Sequence, residues 1–203
     1  GDYDKKSHKF IPDTKGKTLD FGFDYYAPQS LYADGRTLSV AWLHDWGNDL
    51  TLDGAKWCGQ MTYTRELILK GKNIYQMPAK ELKSHYKNKY HTSFILNRNK
   101  EYIDNDLNSR AARFDFDITN VDANKLTIFL VADDNYNSFI KINMKKHTLK
   151  FSRRFSYLSK DAIDERKIDI DICDGKLSLC VLIDRYSIGI FINKGKQVFT
   201  SRI

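Results

Sequence analysis

From residue 109 to the C-terminus, apolar and polar residues alternate in short runs. Phe114, Phe116 and Ile118 are separated by Asp115 and Asp117, and Leu126, Ile128 and Leu130 follow the same rhythm. So do Ile140, Ile142 and Met144, then Ile168, Ile170 and Ile172, then Leu177, Leu179, Val181 and Ile183, then Ile188, Ile190 and Ile192. A period of two places each set on one face of a strand, with polar partners on the other. Turn chemistry falls between the runs at Asp174-Gly175, Asp184-Arg185 and Asn193-Lys194-Gly195. About eight strands at roughly 8–12-residue spacing predict an antiparallel β-sandwich and not parallel βαβ units. The first half also reads as β: Leu31-Tyr32, a turn at Asp34-Gly35 and a strand over 37–42 form one hairpin, and 61–69 forms another strand closed by Gly71. Between the halves, 77–108 is polar and lysine-rich, with one short helix predicted around 79–86.

Composition changes along the chain. Trp42, Trp46 and Trp57 all precede residue 66, where glycine and aspartate are also dense. Such tryptophans near the ends of short strands fit the blades of a propeller, and they fit a second sandwich equally well. No run approaches the roughly 18 apolar residues a membrane span needs, so no membrane partner is expected. The formal net charge is +7, which raises nucleic acid as a partner. The lysines are scattered, however, over 5–17, 80–89 and 141–146, and no nucleic-acid-binding motif accompanies them; a solvated surface is expected, with no nucleic acid bound. Cys58, Cys173 and Cys180 lack metal-ligand spacing. In a hairpin turning at Asp174-Gly175, Cys173 lies opposite Lys176 and far from Cys180, so three buried or half-buried free thiols are expected. That favours a reducing setting and leans towards the cytoplasm, with an extracellular location left open.

No self-contained catalytic constellation stands out. The chain has no phosphate-cradling glycine loop, no histidine pair at metal-ligand spacing and no nucleophile elbow, so neither a metal nor a cofactor is expected. The informative features are linear motifs: DFGFDYYAPQ at 20–29, DGR at 34–36, AWLHDW at 41–46, WCGQMTYTRELIL at 57–69 and QMP at 76–78. GDYD opens the chain, and DRYSIGIFINKGKQVFTSRI closes it at 184–203. This series resembles glycoside hydrolase family 32, the β-fructosidases that include invertases, sucrose-6-phosphate hydrolases and levanases.

The resemblance implies an all-β chain: a partial β-propeller, made of the last blades of a five-bladed propeller, over 1–78, a connector over 79–108 and a β-sandwich over 109–203. It also implies what lies elsewhere. The family's nucleophilic Asp, its transition-state Asp and its acid/base Glu belong to motifs N-terminal to the position matched by Gly1. Retaining chemistry needs two carboxyl groups about 5 Å apart, one to attack the anomeric carbon and one to protonate the leaving oxygen. The chain is therefore expected to carry no catalytic residue, to need the missing N-terminal blades as its partner, and to hydrolyse no fructoside alone. A non-catalytic carbohydrate-binding or assembly module is the alternative. Asp24, Tyr26 and Trp42 are the residues the resemblance places against a fructose-containing saccharide. A structural cap for Asp24 and blade packing for Trp42 stand beside that reading. Tyr25 and Tyr26 should face opposite ways. Arg65 and Glu66 are expected to form a buried structural pair where propeller meets sandwich, and Trp57 and Gln76 to be structural. Thr64, Leu31 and Gly189 depart from the family pattern, which favours Pro, an aromatic and Glu there.

Overall fold

A computed structural model describes residues 1–44, 46, 56–57, 59–104, 107, 109–119, 124–132, 137–155 and 164–203, without the side chains of 131, 132 and 155. The described chain is nearly all β and forms four antiparallel sheets. β1 (Asp2–Asp4) and β2 (Lys9–Ile11) make an isolated hairpin with Tyr3, Phe10 and Ile11 exposed. β3 (Tyr26–Ala33), β4 (Arg36–Trp42), β5 (Arg65–Lys70) and β6 (Asn73–Pro78) follow one another as a four-stranded meander, as in a propeller blade. The β3–β4 turn at Asp34-Gly35 has positive φ at both residues (51° and 71°), the conformation that a two-residue hairpin needs. The predicted strand over 61–69 is shorter than expected. Residue 61 contributes only an isolated bridge to Trp42, and pairing starts at Arg65. The expected helix exists as a short 3-10 turn, Lys80–His85.

The sandwich forms from two further four-stranded sheets. β7 (Ala112–Ile118) joins β12 (Leu177–Asp184), β13 (Ser187–Ile192) and β14 (Gln197–Arg202) in one sheet. β8 (Lys125–Ala132), β9 (Asn137–Asn143), β10 (Thr148–Phe155) and β11 (Glu165–Asp169) form the other. Alternation pays off as predicted: Ile140, Ile142, Leu149 and Phe151 from one sheet meet Leu179, Val181, Ile190, Ile192 and Phe199 from the other in one buried cluster. Burying each such side chain contributes about 1.5–3 kcal/mol. The 174–175 turn places Cys173 opposite Lys176, as expected. Cys173 and Cys180 are both free; Cys180 is buried as expected, Cys173 at the hairpin turn is exposed against expectation, and Cys58 lies outside the described residues.

β10 escaped the alternation rule, and the reason matters below. Its inward phase runs Leu149, Phe151, Arg153, and the arginine is as buried as the two hydrophobes.

The sheet β14-β13-β12-β7 is covered on both faces, so β13 is buried at every residue. One face meets the other sandwich sheet. The opposite face carries Cys180, Leu182, Phe191 and Val198, which pack with Tyr63 from the blade and Leu82 from the 3-10 turn. Gly189 faces that junction, with Phe191 and Tyr63 beside it. Two backbone stitches join the units. Phe21 and Phe23 donate N–H bonds to the Val198 and Thr200 carbonyls (2.8 and 2.9 Å), so 20–24 runs along the free edge of β14. Gln76 N–H donates to the Gly195 carbonyl at 2.9 Å. Gly195, at φ 79°, lies so close to Gln76 that a Cβ there would overlap the Gln76 backbone.

Candidate functional site

The motif at 20–29 feeds two different places. Asp20 and Asp24 turn into the junction, and Tyr26 reaches the surface two residues later.

Asp24 is fully buried. Its Oδ2 accepts hydrogen bonds from Arg153 (2.7 Å) and the Arg202 backbone N–H (2.7 Å), and its Oδ1 accepts from Arg202 Nε (2.9 Å). The Ser201 hydroxyl lies 3.4 Å from Oδ2. Both oxygens are engaged by groups that hold blade to sandwich, and no face of the carboxylate is left for a sugar hydroxyl. The geometry thus favours the structural role set beside the fructose reading of Asp24. A buried carboxylate must have all its lone pairs met, and here two arginines from β10 and β14 meet them.

Asp20 behaves likewise. It accepts from the Gly22 and Thr200 backbone N–H groups (2.8 and 3.0 Å) and the Thr200 hydroxyl (2.7 Å), and pairs with Arg65 at 2.9 Å. Arg65, 1% exposed, also bonds Gln76 (3.0 Å) and the Thr200 hydroxyl, and lies 4.3 Å over the Tyr25 ring. The expected Arg65–Glu66 pair does not form. Consecutive strand residues point to opposite faces, so Glu66 meets Arg36 at 3.5 Å on the far side of the blade while Arg65 takes Asp20. Gln76 is structural as expected, and its amide donates to the Leu19 carbonyl at 2.6 Å. Trp57 is half exposed beside Tyr186, their rings 5.9 Å apart.

Tyr26 and Trp42 are direct cross-strand partners at the open end of the β3–β4 hairpin. Their rings lie 6.3 Å apart, close to edge-on. The sequence missed the rest of this cluster. His44 stacks flat on Trp42 (4.1 Å, 9°), and Trp46 stands edge-on to both His44 (4.6 Å) and Tyr26 (5.8 Å). Among the described residues His44 Nε2 is buried without a hydrogen-bond partner. Gly59 makes room for the indole. Its φ is 85°, and a Cβ there would come within 2.5 Å of Trp42 Nε1. The Gly in WCGQ is thus the sequence signal for where Trp42 lies. Tyr26 and Trp46 remain exposed, at 43% and 68%. The open faces of Tyr26 and Trp46 suit the C–H face of a sugar.

Elsewhere, burial pushes the Cys180 thiol up to about 12 despite nearby Arg113. Arg36 hydrogen-bonds Glu81 and holds its carboxyl below the usual range.

Comparison with known proteins decides the family. The glycosyl hydrolases family 32 N-terminal domain model matches residues 1–78, and the family's C-terminal model matches 81–203. The chain belongs to family 32. A probable sucrose-6-phosphate hydrolase of Vibrio cholerae serotype O1 is 31% identical over 193 residues, covering 93% of this chain and 32% of its own length. A solved sucrose-6-phosphate hydrolase from Lactobacillus gasseri superposes with a TM-score of 0.75 at 26% identity, over 91% of this chain and 37% of that one. A Bombyx mori β-fructofuranosidase variant, solved in complex with sucrose, gives 0.74 at 21% identity over all of this chain and 40% of that one. The chain thus spans about a third of the length of the curated relatives it matches. Blade plus sandwich is the architecture of these family 32 neighbours.

Proposed function

We propose that this chain supplies the closing blade and the sandwich of a retaining β-fructosidase acting on sucrose, sucrose 6-phosphate or fructans. The nucleophile and the acid/base then belong to N-terminal blades outside this sequence. The observation that carries the reading is the family match across both units at about a third of the relatives' length. The locked state of Asp20 and Asp24 supports it, since neither carboxyl is free to attack an anomeric carbon or to move a proton. Within the completed protein, Trp42 and Tyr26 present apolar faces to the fructosyl unit. His44 keeps the indole flat by stacking beneath it.

Assays of sucrose, sucrose 6-phosphate and levan hydrolysis test this. The purified chain is expected to match a mock preparation, and co-expression with the N-terminal blades of a family 32 relative is expected to restore turnover. Hydrolysis by the chain alone overturns the proposal.

A further inference from the structure

The lysines that look scattered in the sequence are gathered by strand register. On the outer face of the sheet β8–β11, Thr127, Lys141, Lys150 and Lys167 form one row straight across all four strands. Three of those four positions are lysine, on adjacent strands about 4.8 Å apart. The next row is Lys125, Asn143, Thr148 and Asp169, and the exposed turn beyond it holds Lys145 and Lys146. The row on the other side is Phe129, Phe139, Ser152 and Glu165. Among the described residues, four lysines in these rows and two on the turn beyond them meet two carboxylates in the same rows. Among the described residues Lys150 pairs there with Glu165 at 2.7 Å, and its Nζ also lies 5.5 Å from the Phe139 ring. At the far end Arg154 stands 3.9 Å from Asp164. Phe129 is 56% exposed, edge-on to Phe139.

Like charges placed directly opposite one another across a sheet repel and destabilise it. Three in a row therefore favour an anionic partner that relieves them. We infer that this face binds an extended anionic polysaccharide bearing one carboxylate per sugar. Four features of this face select that chemistry. The charges recur at a regular spacing, which fits a chain of repeating single carboxylates. They are lysines, compact point charges without the guanidinium fork that matches a phosphate bidentately. The sheet face accommodates a chain laid across it. Phe129 offers the neighbouring row an apolar surface for a pyranose ring. Binding here is separate from the Trp42 cluster on the blade and goes beyond the glycosidase reading, adding a means of holding the protein on an acidic polymer.

Affinity electrophoresis of the full chain in gels carrying polygalacturonate, at about 0.1 M salt where isolated surface charges are largely screened, tests the inference. Retardation of the wild-type chain is expected. The double variant Lys141→Gln/Lys167→Gln keeps the Lys150–Glu165 pair and should lose at least tenfold in affinity. Because repulsion is relieved, it should melt no lower than wild type, so the loss is not unfolding. Lys80→Gln/Lys83→Gln, which removes the same charge from the 3-10 turn, should bind as wild type. Phe129→Ala should weaken binding to polygalacturonate and leave binding to polyphosphate unchanged. No retardation of wild type, equal losses in the two double variants, or tighter retention by single-stranded RNA than by polygalacturonate overturns it.

Discussion

Two places fed by the one motif at 20–29 show how differently a single stretch of chain can be used. At the junction, Asp20 and Asp24 are dry, multiply bonded and held by Arg65, Arg153 and Arg202. At the open end of the hairpin, Tyr26, Trp42, His44 and Trp46 form an aromatic group that is partly solvated and contains a buried imidazole nitrogen without a described partner. Only Tyr25 separates Asp24 from Tyr26. The first region is closed chemically as well as sterically: each of its carboxylate oxygens already accepts hydrogen bonds. The second has apolar surface open to solvent, on Tyr26 and Trp46. Residue type did not distinguish them, since an Asp suits a sugar as well as an arginine. The partners did, and for Asp24 they lie 129 and 178 residues away in sequence.

The largest way to break this contrast is to remove a junction carboxylate. Asp24→Asn leaves two buried guanidinium groups short of charge, and removing one partner of a buried pair costs about 3–5 kcal/mol. In a chain of this size that lowers Tm by roughly 10 °C. Glu66→Gln is the control. Its carboxylate is a quarter exposed and 3.5 Å from Arg36, so the change should cost less than about 1 kcal/mol. Paired thermal melts by circular dichroism decide it, and equal melting temperatures for the two variants break the junction account.

A smaller effect sharpens the same contrast between closed and open regions. Cys180 lies on the covered outer face of β12, where burial pushes its pKa up to about 12, whereas Cys173 is exposed. At pH 8 the Cys180 thiol is protonated and shielded, and the thiolate is the reactive species. Peptide mapping after iodoacetamide should find Cys173 labelled in the native chain and Cys180 labelled only after denaturation. Native labelling of Cys180 at the rate of Cys173 shows that blade and 3-10 turn do not cover this face.

Much of the fold was legible because its signals are local. The strands β7, β8, β9, β12 and β13 follow from alternation, and the turns at 34–35, 174–175 and 193–195 from Asp, Asn and Gly residues that tolerate positive φ. β10 was not legible, because Arg153 interrupts the inward phase at the point where the sandwich receives Asp24. An arginine in a core-facing position was the one clue that a buried carboxylate existed, yet the sequence does not say which. That Arg65 and Glu66 face opposite sides of β5 was readable from alternation, whereas Asp20 as the partner of Arg65 needed the fold. The lysine row on β9, β10 and β11 needed the register itself, since its members come from three separate stretches of chain. His44 and Trp46 sit in a quoted motif, but their stacking depends on Gly59, which opens the space for the Trp42 indole.

The most direct test of the central claim, that the sugar contact lies in the aromatic group and not at the buried carboxylate, is kcat/KM for sucrose per folded molecule. It is measured on Asp24→Asn and Trp42→Ala in the chain co-expressed with the N-terminal blades of a family 32 relative. The account predicts a loss of about tenfold or more for Trp42→Ala, the scale of about 1.4 kcal/mol of lost transition-state binding. Asp24→Asn should be nearly wild type in the folded fraction despite its lowered Tm. A tenfold loss in Asp24→Asn with an unchanged melting temperature, alongside wild-type kinetics for Trp42→Ala, would contradict it.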